Sequence, residues 1–156
     1  MHTTMLRSLS LLTLLGISSL SFSAHSSAFT EAEEAVEYRQ SALQLMRENF
    51  SVMADMVRGD IDYDAATFET RAEAFYHASH LPWDGFRDAG ENFRGDGDAL
   101  PAVWENWDDF SQRIEQLKSD AKALSEASAS QDMSTIRSAF MSTARNCQQC
   151  HDRYRE

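Results

Sequence analysis

Five consecutive residues near the end of the chain have types and spacing that could do chemistry: Cys147, Gln148, Gln149, Cys150 and His151. They include both cysteines of the 156-residue chain. Residues three apart lie on the same face of a helix, so the two thiols can react with one planar ligand. The pair therefore fits addition to the two vinyl groups of a porphyrin, and the imidazole after Cys150 fits an axial ligand of its iron. This pattern is the attachment motif of c-type haem.

Three other interpretations of the motif compete with haem attachment. A redox dithiol favours a helix N-terminus, where the helix dipole stabilises thiolate, whereas this pair is predicted near the C-terminal end of a helix. A zinc site usually needs ligands from separated stretches, and His77 or His80 would have to supply the fourth one. The third alternative is a chance occurrence. A disulfide between the two thiols would close a very small loop and stabilise the fold little.

The first 28 residues have the composition of an export signal rather than of a folded domain. One basic residue, Arg7, precedes a leucine-rich apolar run over 9–20, and Ser26 and Ala28 place small residues at a cleavage site. The run is too short for a comfortable membrane span, so an uncleaved anchor is the alternative interpretation. We predict cleavage after Ala28, a mature domain of residues 29–156 and a periplasmic location with no membrane association after cleavage.

Cleavage would leave a strongly acidic domain. The full chain has a formal net charge of −11, which becomes −12 once Arg7 is removed, because every acidic residue follows the signal. Such a surface repels nucleic acid and anionic lipid, and it favours a basic protein partner or a small neutral ligand. No nucleophile–base pair or carboxylate dyad can be identified from spacing, so the sequence does not indicate an enzyme.

Four amphipathic segments must position the haem motif. Apolar residues recur in each at helical spacing, and no segment alternates with the period of a strand over a useful length. A long loop over 80–101 holds both prolines. The predicted helices are one from a capping box at Thr30–Glu33 to Gly59, one from about Asp64 to Ser79, one from about Ala102 to a short connection at Ser125–Ser130, and one from about Asp132. The predicted fold class is all-α: an antiparallel four-helix bundle, up-down-up-down, with haem between helices near the C-terminal helix.

Three segments of the chain resemble the cytochrome c′ family, the class II c-type cytochromes: Glu37–Leu43, Leu81–Trp83 and Cys147–Arg155. The resemblance covers essentially all of residues 29–156. A haem motif at the C-terminus of a four-helix bundle distinguishes this family from ordinary cytochrome c. The resemblance implies one covalent haem c per chain, bound through the two cysteines, with the adjacent histidine on the iron. It also implies a homodimer.

The resemblance further implies roles for residues around the haem. Arg39, with Gln40 beside it, interrupts the apolar stripe of the first helix and is placed at a haem propionate, since a planar guanidinium matches a carboxylate. A solvated surface arginine is the alternative. Leu43 stands where six-coordinate relatives carry a ligating methionine, so it would cap the distal face. Arg155 would lie beside the proximal pocket, and the alternative is a frayed terminal arginine. Met46 is either a residue of the apolar core or a second candidate ligand of the iron.

The function expected from these residues is binding of small diatomic gases, nitric oxide and carbon monoxide, at a five-coordinate high-spin iron. The resemblance adds protection against nitric oxide as the physiological role. Periplasmic electron transfer with a redox protein partner is the alternative, and the sequence does not separate the two. A non-haem metal-binding or structural bundle is the third hypothesis.

Overall fold

The computed structural model describes residues 28–156. In that range the chain forms five helices: α1 (Ala32–Arg58), α2 (Ala65–Ala78), α3 (Ala102–Glu105), α4 (Trp107–Ala129) and α5 (Met133–Tyr154). Helix α1 packs against α2, α2 against α4, and α4 against α5. The predicted all-α four-helix bundle is confirmed, with α1, α2, α4 and α5 as its long helices. The signal-peptide prediction lies outside the described residues except for Ala28, and none of the helices in residues 28–156 is long and apolar enough to cross a membrane.

The ends of the long helices follow from local sequence. Gly59 ends α1 as predicted, with a φ of 82° that glycine adopts without strain, and its N–H donates to carbonyls of the last helical turn. The carboxylate of Asp64 caps α2 by accepting a hydrogen bond from the Thr67 amide. Asp132 caps α5 in the same way, and it accepts from the amides of Ser134 and Thr135.

Two predictions about the helices were wrong, one about the cap of the first and one about the continuity of the third. Thr30 does not cap α1, because its hydroxyl donates to the carboxylate of Glu34 and the helix begins after Glu31 with no side-chain cap. The third predicted helix is not continuous either. Asn106, with φ −126° and ψ 44°, separates the single turn of α3 from the long helix α4.

The predicted connection Ser125–Ser130 is also wrong, since α4 continues through it to Ala129. The hydroxyl of Ser128 donates to the Ser125 carbonyl at 2.7 Å, so serine satisfies its polar group inside the helix. The connection between α4 and α5 is limited to residues 130–132, where Gln131 takes a positive φ of 56°.

The segment between α2 and α3 packs over α1. It contains two 3-10 turns, Pro82–Phe86 and Asp88–Gly90. At Gly85 the backbone approaches α1 so closely that an added Cβ would lie 2.6 Å from the Ala35 carbonyl oxygen, so only glycine fits there. The segment then reaches the end of α5, where Ala99 and Arg155 form an isolated antiparallel bridge.

The buried apolar residues form two separate clusters. The first, between α1, α2, α4 and α5, includes Met53, Phe68, Phe75, Leu124 and Ile136. The second consists of Phe86, Val103, Phe110, Ile114 and Tyr154. Leu43 and Trp83 are partly buried and pack against both clusters.

Candidate haem site

A cavity of about 430 Å³ extends along residues of both clusters. Its volume is in the range of cofactor and small-molecule sites. The structure brings all seven predicted site residues to its wall: Arg39, Gln40 and Leu43 from α1, and Cys147, Cys150, His151 and Arg155 from α5 and the residue that follows it. Residues widely separated in sequence therefore meet at one site, as the bundle prediction requires. Their individual roles toward haem stay predictions.

The two cysteines lie one turn apart on α5 as free, partly buried thiols. Cys147 packs against the first cluster and Cys150 against the second. Burial raises the pKa of Cys147 to about 11. Burial also raises the pKa of Cys150, while the nearby positive charge of Arg113 acts in the opposite direction. Thiols that hold their protons at neutral pH do not match a low-pKa redox dithiol. The zinc alternative lacks a cluster of three or more suitable His, Cys, Asp or Glu side chains in residues 28–156.

His151 lies in the last turn of α5, exposed at the edge of the cavity. Partial burial is the main cause that lowers the pKa of His151. The positive charge of Arg155 lowers it further, and Asp152 has the opposite effect. A lowered pKa favours neutral imidazole, which is the form that ligates a metal.

Beyond Gln40, α1 contributes the apolar residues Leu43, Met46 and Phe50 to the cavity wall, together with the polar residues Arg47 and Ser51. Leu43 is partly buried, and Met46, three residues further on, is only 6 % exposed and belongs to the first cluster. The ring of Phe50 stacks on that of Phe140 from α5, with centroids 4.5 Å apart. This wall therefore offers hydrocarbon and aromatic surface, with the thioether of Met46 as its one soft donor atom.

Arg39 is buried, with 2 % of its surface exposed, which excludes the solvated-arginine alternative. Its Nη1 donates to the carbonyl oxygens of Gly85 at 2.8 Å and Gly90 at 3.3 Å. Its Nη2 donates to those of Phe93 at 2.7 Å and Arg94 at 3.4 Å. The guanidinium thus holds the segment before α3 against α1.

The same guanidinium lies over two aromatic rings. Its Cζ is 4.5 Å from the centroid of Phe86 and 5.7 Å from that of Trp104. Burial is the only cause that shifts the pKa of Arg39, and it lowers it, so no carboxylate among residues 28–156 compensates this charge. A buried cation without a counter-ion at a cavity wall favours an anionic group of a ligand in that cavity.

Arg155 is held in place rather than frayed. Its Nε and Nη2 donate to Oδ2 of Asp98 at 3.0 and 2.7 Å. The sequence gives no signal for this partner, because the two residues are 57 positions apart. A second network lies beside it: the Tyr154 hydroxyl donates to Oδ2 of Asp109 at 2.5 Å, and Nε of Arg113 donates to the same oxygen at 2.7 Å.

These features fit a haem and define a class of protein. One largely apolar cavity of the four-helix bundle is lined by two thiols one turn apart and by an imidazole whose pKa is lowered. The same cavity is lined by Arg39, a buried cation without a carboxylate partner among residues 28–156. That combination is typical of a c-type haem protein whose attachment helix is the last helix of the bundle.

Comparison with known proteins identifies the family. The family model for cytochrome c′ matches residues 34–155. The cytochrome c′ of Halomonas halodenitrificans is 36 % identical over 129 residues, which cover 80 % of this chain and 98 % of that protein. That of Alcaligenes xylosoxydans xylosoxydans is 37 % identical over 128 residues, with 82 % and 98 % coverage. The structure of cytochrome c prime from Shewanella frigidimarina superposes with a TM-score of 0.78 at 37 % identity, covering 82 % of this chain and 98 % of the other. The chain belongs to the cytochrome c′ family, and its cofactor is covalent haem c.

Proposed function

We propose that this chain is a periplasmic haem protein that binds small diatomic gases, nitric oxide and carbon monoxide, and protects against nitric oxide. The observation that carries the proposal is the composition of the cavity wall. The haem motif lies on α5, and α1 contributes Leu43, whose side chain has no atom that can ligate iron. When bound, haem supplies an iron with one vacant coordination position, at which a diatomic gas binds.

The protein residues have distinct roles in this proposal. Cys147 and Cys150 would hold the haem through thioether bonds, and the neutral imidazole of His151 would ligate its iron. Leu43 covers the distal face and excludes water and bulky ligands from it. An apolar cap offers no hydrogen-bond donor to a polar bound ligand, which favours nitric oxide and carbon monoxide over dioxygen. Solved nitric oxide complexes of two variants of the cytochrome c prime of Alcaligenes xylosoxidans, at TM-score 0.74, support the same ligand class.

Arg39 and Gln40 complete the site on the side of the haem propionates. Arg39 is a buried cation that lacks a carboxylate partner among residues 28–156, so a propionate would supply the missing counter-charge. Gln40 is exposed at the cavity edge, and its amide lies beside Gly97. The contact of either residue with a propionate stays a prediction.

The location rests on sequence. A basic residue, an apolar run and small residues before Phe29 are typical of a secretory signal. The mature domain of residues 29–156 would contain 128 residues, and the relatives match this chain over 128 or 129 residues. Mass spectrometry of the exported protein should give a haem-modified chain that starts at Phe29. A homodimer stays a prediction, which sedimentation analysis tests.

Electron transfer is the second candidate function. It is favoured by the formal net charge of −11, which would steer a basic redox partner to the surface at low salt. Other relatives of this chain, at 28–29 % identity, are cytochromes named c-554 and c-556. Rapid nitric oxide binding with slow exchange between redox partners would favour gas binding, and the reverse result would favour electron transfer.

The test is the coordination state of the ferrous protein. Absorption and resonance Raman spectra should show five-coordinate high-spin iron that titrates with nitric oxide and carbon monoxide. Leu43→Met should shift the spectrum toward six-coordinate low-spin iron, because a thioether then lies at the distal face. The matched control is Leu45→Met on the same helix, where the side chain is 54 % exposed, and it should leave the spectrum unchanged. A six-coordinate low-spin spectrum of the unmutated protein would overturn the proposal.

A further inference from the structure

The strongest feature that the proposed function does not use is the junction between residues 94–100 and the end of the chain. Two backbone hydrogen bonds join them. The Leu100 amide donates to the Tyr154 carbonyl at 2.9 Å, and the Glu156 amide donates to the Asp98 carbonyl at 2.9 Å. Ala99 and Arg155 form the antiparallel bridge between these two bonds. The backbone on both sides of the junction is therefore fixed.

Two ion pairs flank this backbone pairing. Arg155 donates twice to Oδ2 of Asp98, and Nη2 of Arg94 donates to the Glu156 carboxylate at 2.7 Å. The side chains of Asp98 and Arg155 are 54 % and 51 % exposed, and an isolated pair with that exposure would hold its geometry poorly. Here both partners project from backbone that is already bonded, so the pair loses less conformational freedom when it forms.

The pair also lies at the haem cavity. Gly97, Asp98 and Ala99 line the cavity together with His151 and Arg155. Arg155 follows His151 by one helical turn, and its amide donates to the His151 carbonyl at 3.1 Å. Because the Arg155 backbone is fixed, the position of its guanidinium relative to His151 depends on the side chain that accepts its hydrogen bonds, which is Asp98.

We propose that Asp98 is a positioning residue for the proximal side of the haem: its carboxylate fixes the Arg155 guanidinium at the cavity rim beside His151 and balances its positive charge there. This inference rests on the proposed haem site. A ferric haem has one more positive charge than a ferrous haem, so a nearby uncompensated cation disfavours the ferric state. Asp98 then keeps the reduction potential lower than Arg155 alone would make it.

The experiment measures the haem midpoint potential of holoprotein variants. Asp98→Asn keeps the shape of the side chain and removes its charge, so the potential should rise. The matched control is Asp96→Asn, which removes the same charge from the same loop at an exposed residue that does not line the cavity. Its shift should be smaller, and Asp98→Glu should return the potential toward that of the unmutated protein. High salt should reduce the Asp98→Asn shift, because the pair is half exposed.

A double-mutant cycle separates positioning from general charge. Arg155→Gln should lower the potential, and in Asp98→Asn combined with Arg155→Gln the two shifts should not add. Hydrogen exchange of the Leu100 and Glu156 amides should stay slow in Asp98→Asn, since the backbone pairing does not depend on the carboxylate. Additive shifts, or an equal shift in Asp96→Asn, would overturn the inference. A protein without covalent haem by its pyridine haemochrome spectrum would instead overturn the proposed function.

Discussion

Replacement of Arg39 by alanine tests whether this residue holds the loop before α3 against α1. The two short hydrogen bonds, to Gly85 and Phe93, come from a charged donor, and such bonds contribute about 1.5 kcal/mol each at the lower end of the measured range. Stacking over the aromatic rings adds about 1 kcal/mol. These contributions sum to about 4 kcal/mol, and buried carbonyls that lose their donor add to the cost, so Arg39→Ala should destabilise the fold by at least about 4 kcal/mol.

The assay is urea unfolding of the holoprotein, followed by circular dichroism. With a slope of about 2 kcal/mol per molar urea, the midpoint should fall by about 2 M. Arg39→Lys keeps the charge, but one ammonium cannot reach four carbonyls or stack on a ring, so it should cost about half as much. The thioether bonds do not depend on this residue, so haem should remain attached in both variants.

The control is Arg47→Ala, on the same helix two turns further on. Arg47 lines the cavity but is 69 % exposed, and its ion pair is with the exposed side chain of Glu48, so its loss should cost less than about 1 kcal/mol. If Arg39→Ala and Arg47→Ala lowered the midpoint equally, the inferred clamp would be refuted. A crystal structure of the holoprotein in which Arg39 contacts neither propionate would refute its second predicted role.

Three further predictions follow from the site. Leu43→Ala should raise the carbon monoxide affinity about tenfold or more, because the ligand no longer displaces a side chain at a cost of about 1–3 kcal/mol; unchanged affinity in an absorbance titration would show that Leu43 does not cover the iron. His151→Ala should change the ferrous spectrum while mass spectrometry still finds haem on the chain, and an unaltered spectrum would assign the ligand to another residue. Hydrogen bonds from Arg113 and then Tyr154 lower the pKa of Asp109. This contribution to stability is present above the ordinary aspartate pKa of about 3.9 and is lost as pH falls through the lower folded-state pKa. Asp109→Asn should therefore flatten the acid side of a plot of urea midpoint against pH, and an unchanged slope would contradict this.

The sequence predicted what depends on local patterns. Helical spacing gave the four long helices, and Gly59 marked the end of the first because a positive φ suits glycine. Local patterns failed at Ser125–Ser130, because serines that bond to the preceding turn stay helical. They also failed at Asn106, whose φ of −126° and ψ of 44° interrupt the helix although no proline or glycine marks the position.

The two arginines show why the rest of the site could not be predicted. The carbonyl partners of Arg39 are 46 to 55 positions away, in a segment whose path cannot be read from periodicity. Asp98 was not among the predicted site residues, because its partner Arg155 is 57 positions away. Both contacts are made by the irregular segment between α2 and α3, for which neither the period of a helix nor that of a strand provides information.

The division of the apolar core into two clusters has a consequence for how the protein is made. Of the partly buried apolar side chains in residues 28–156, Leu43 and Trp83 are the two that pack against both clusters. Haem would therefore lie between the two clusters and join them into one core. In the folded chain Cys147 is partly buried, and burial raises its pKa to about 11, which leaves little reactive thiolate. We therefore expect haem to be attached while the exported chain is still open, with closure of the bundle as the later event. A variant with both cysteines replaced by serine should accordingly show rapid amide exchange throughout α5, and slow exchange there would mean that the bundle closes without haem.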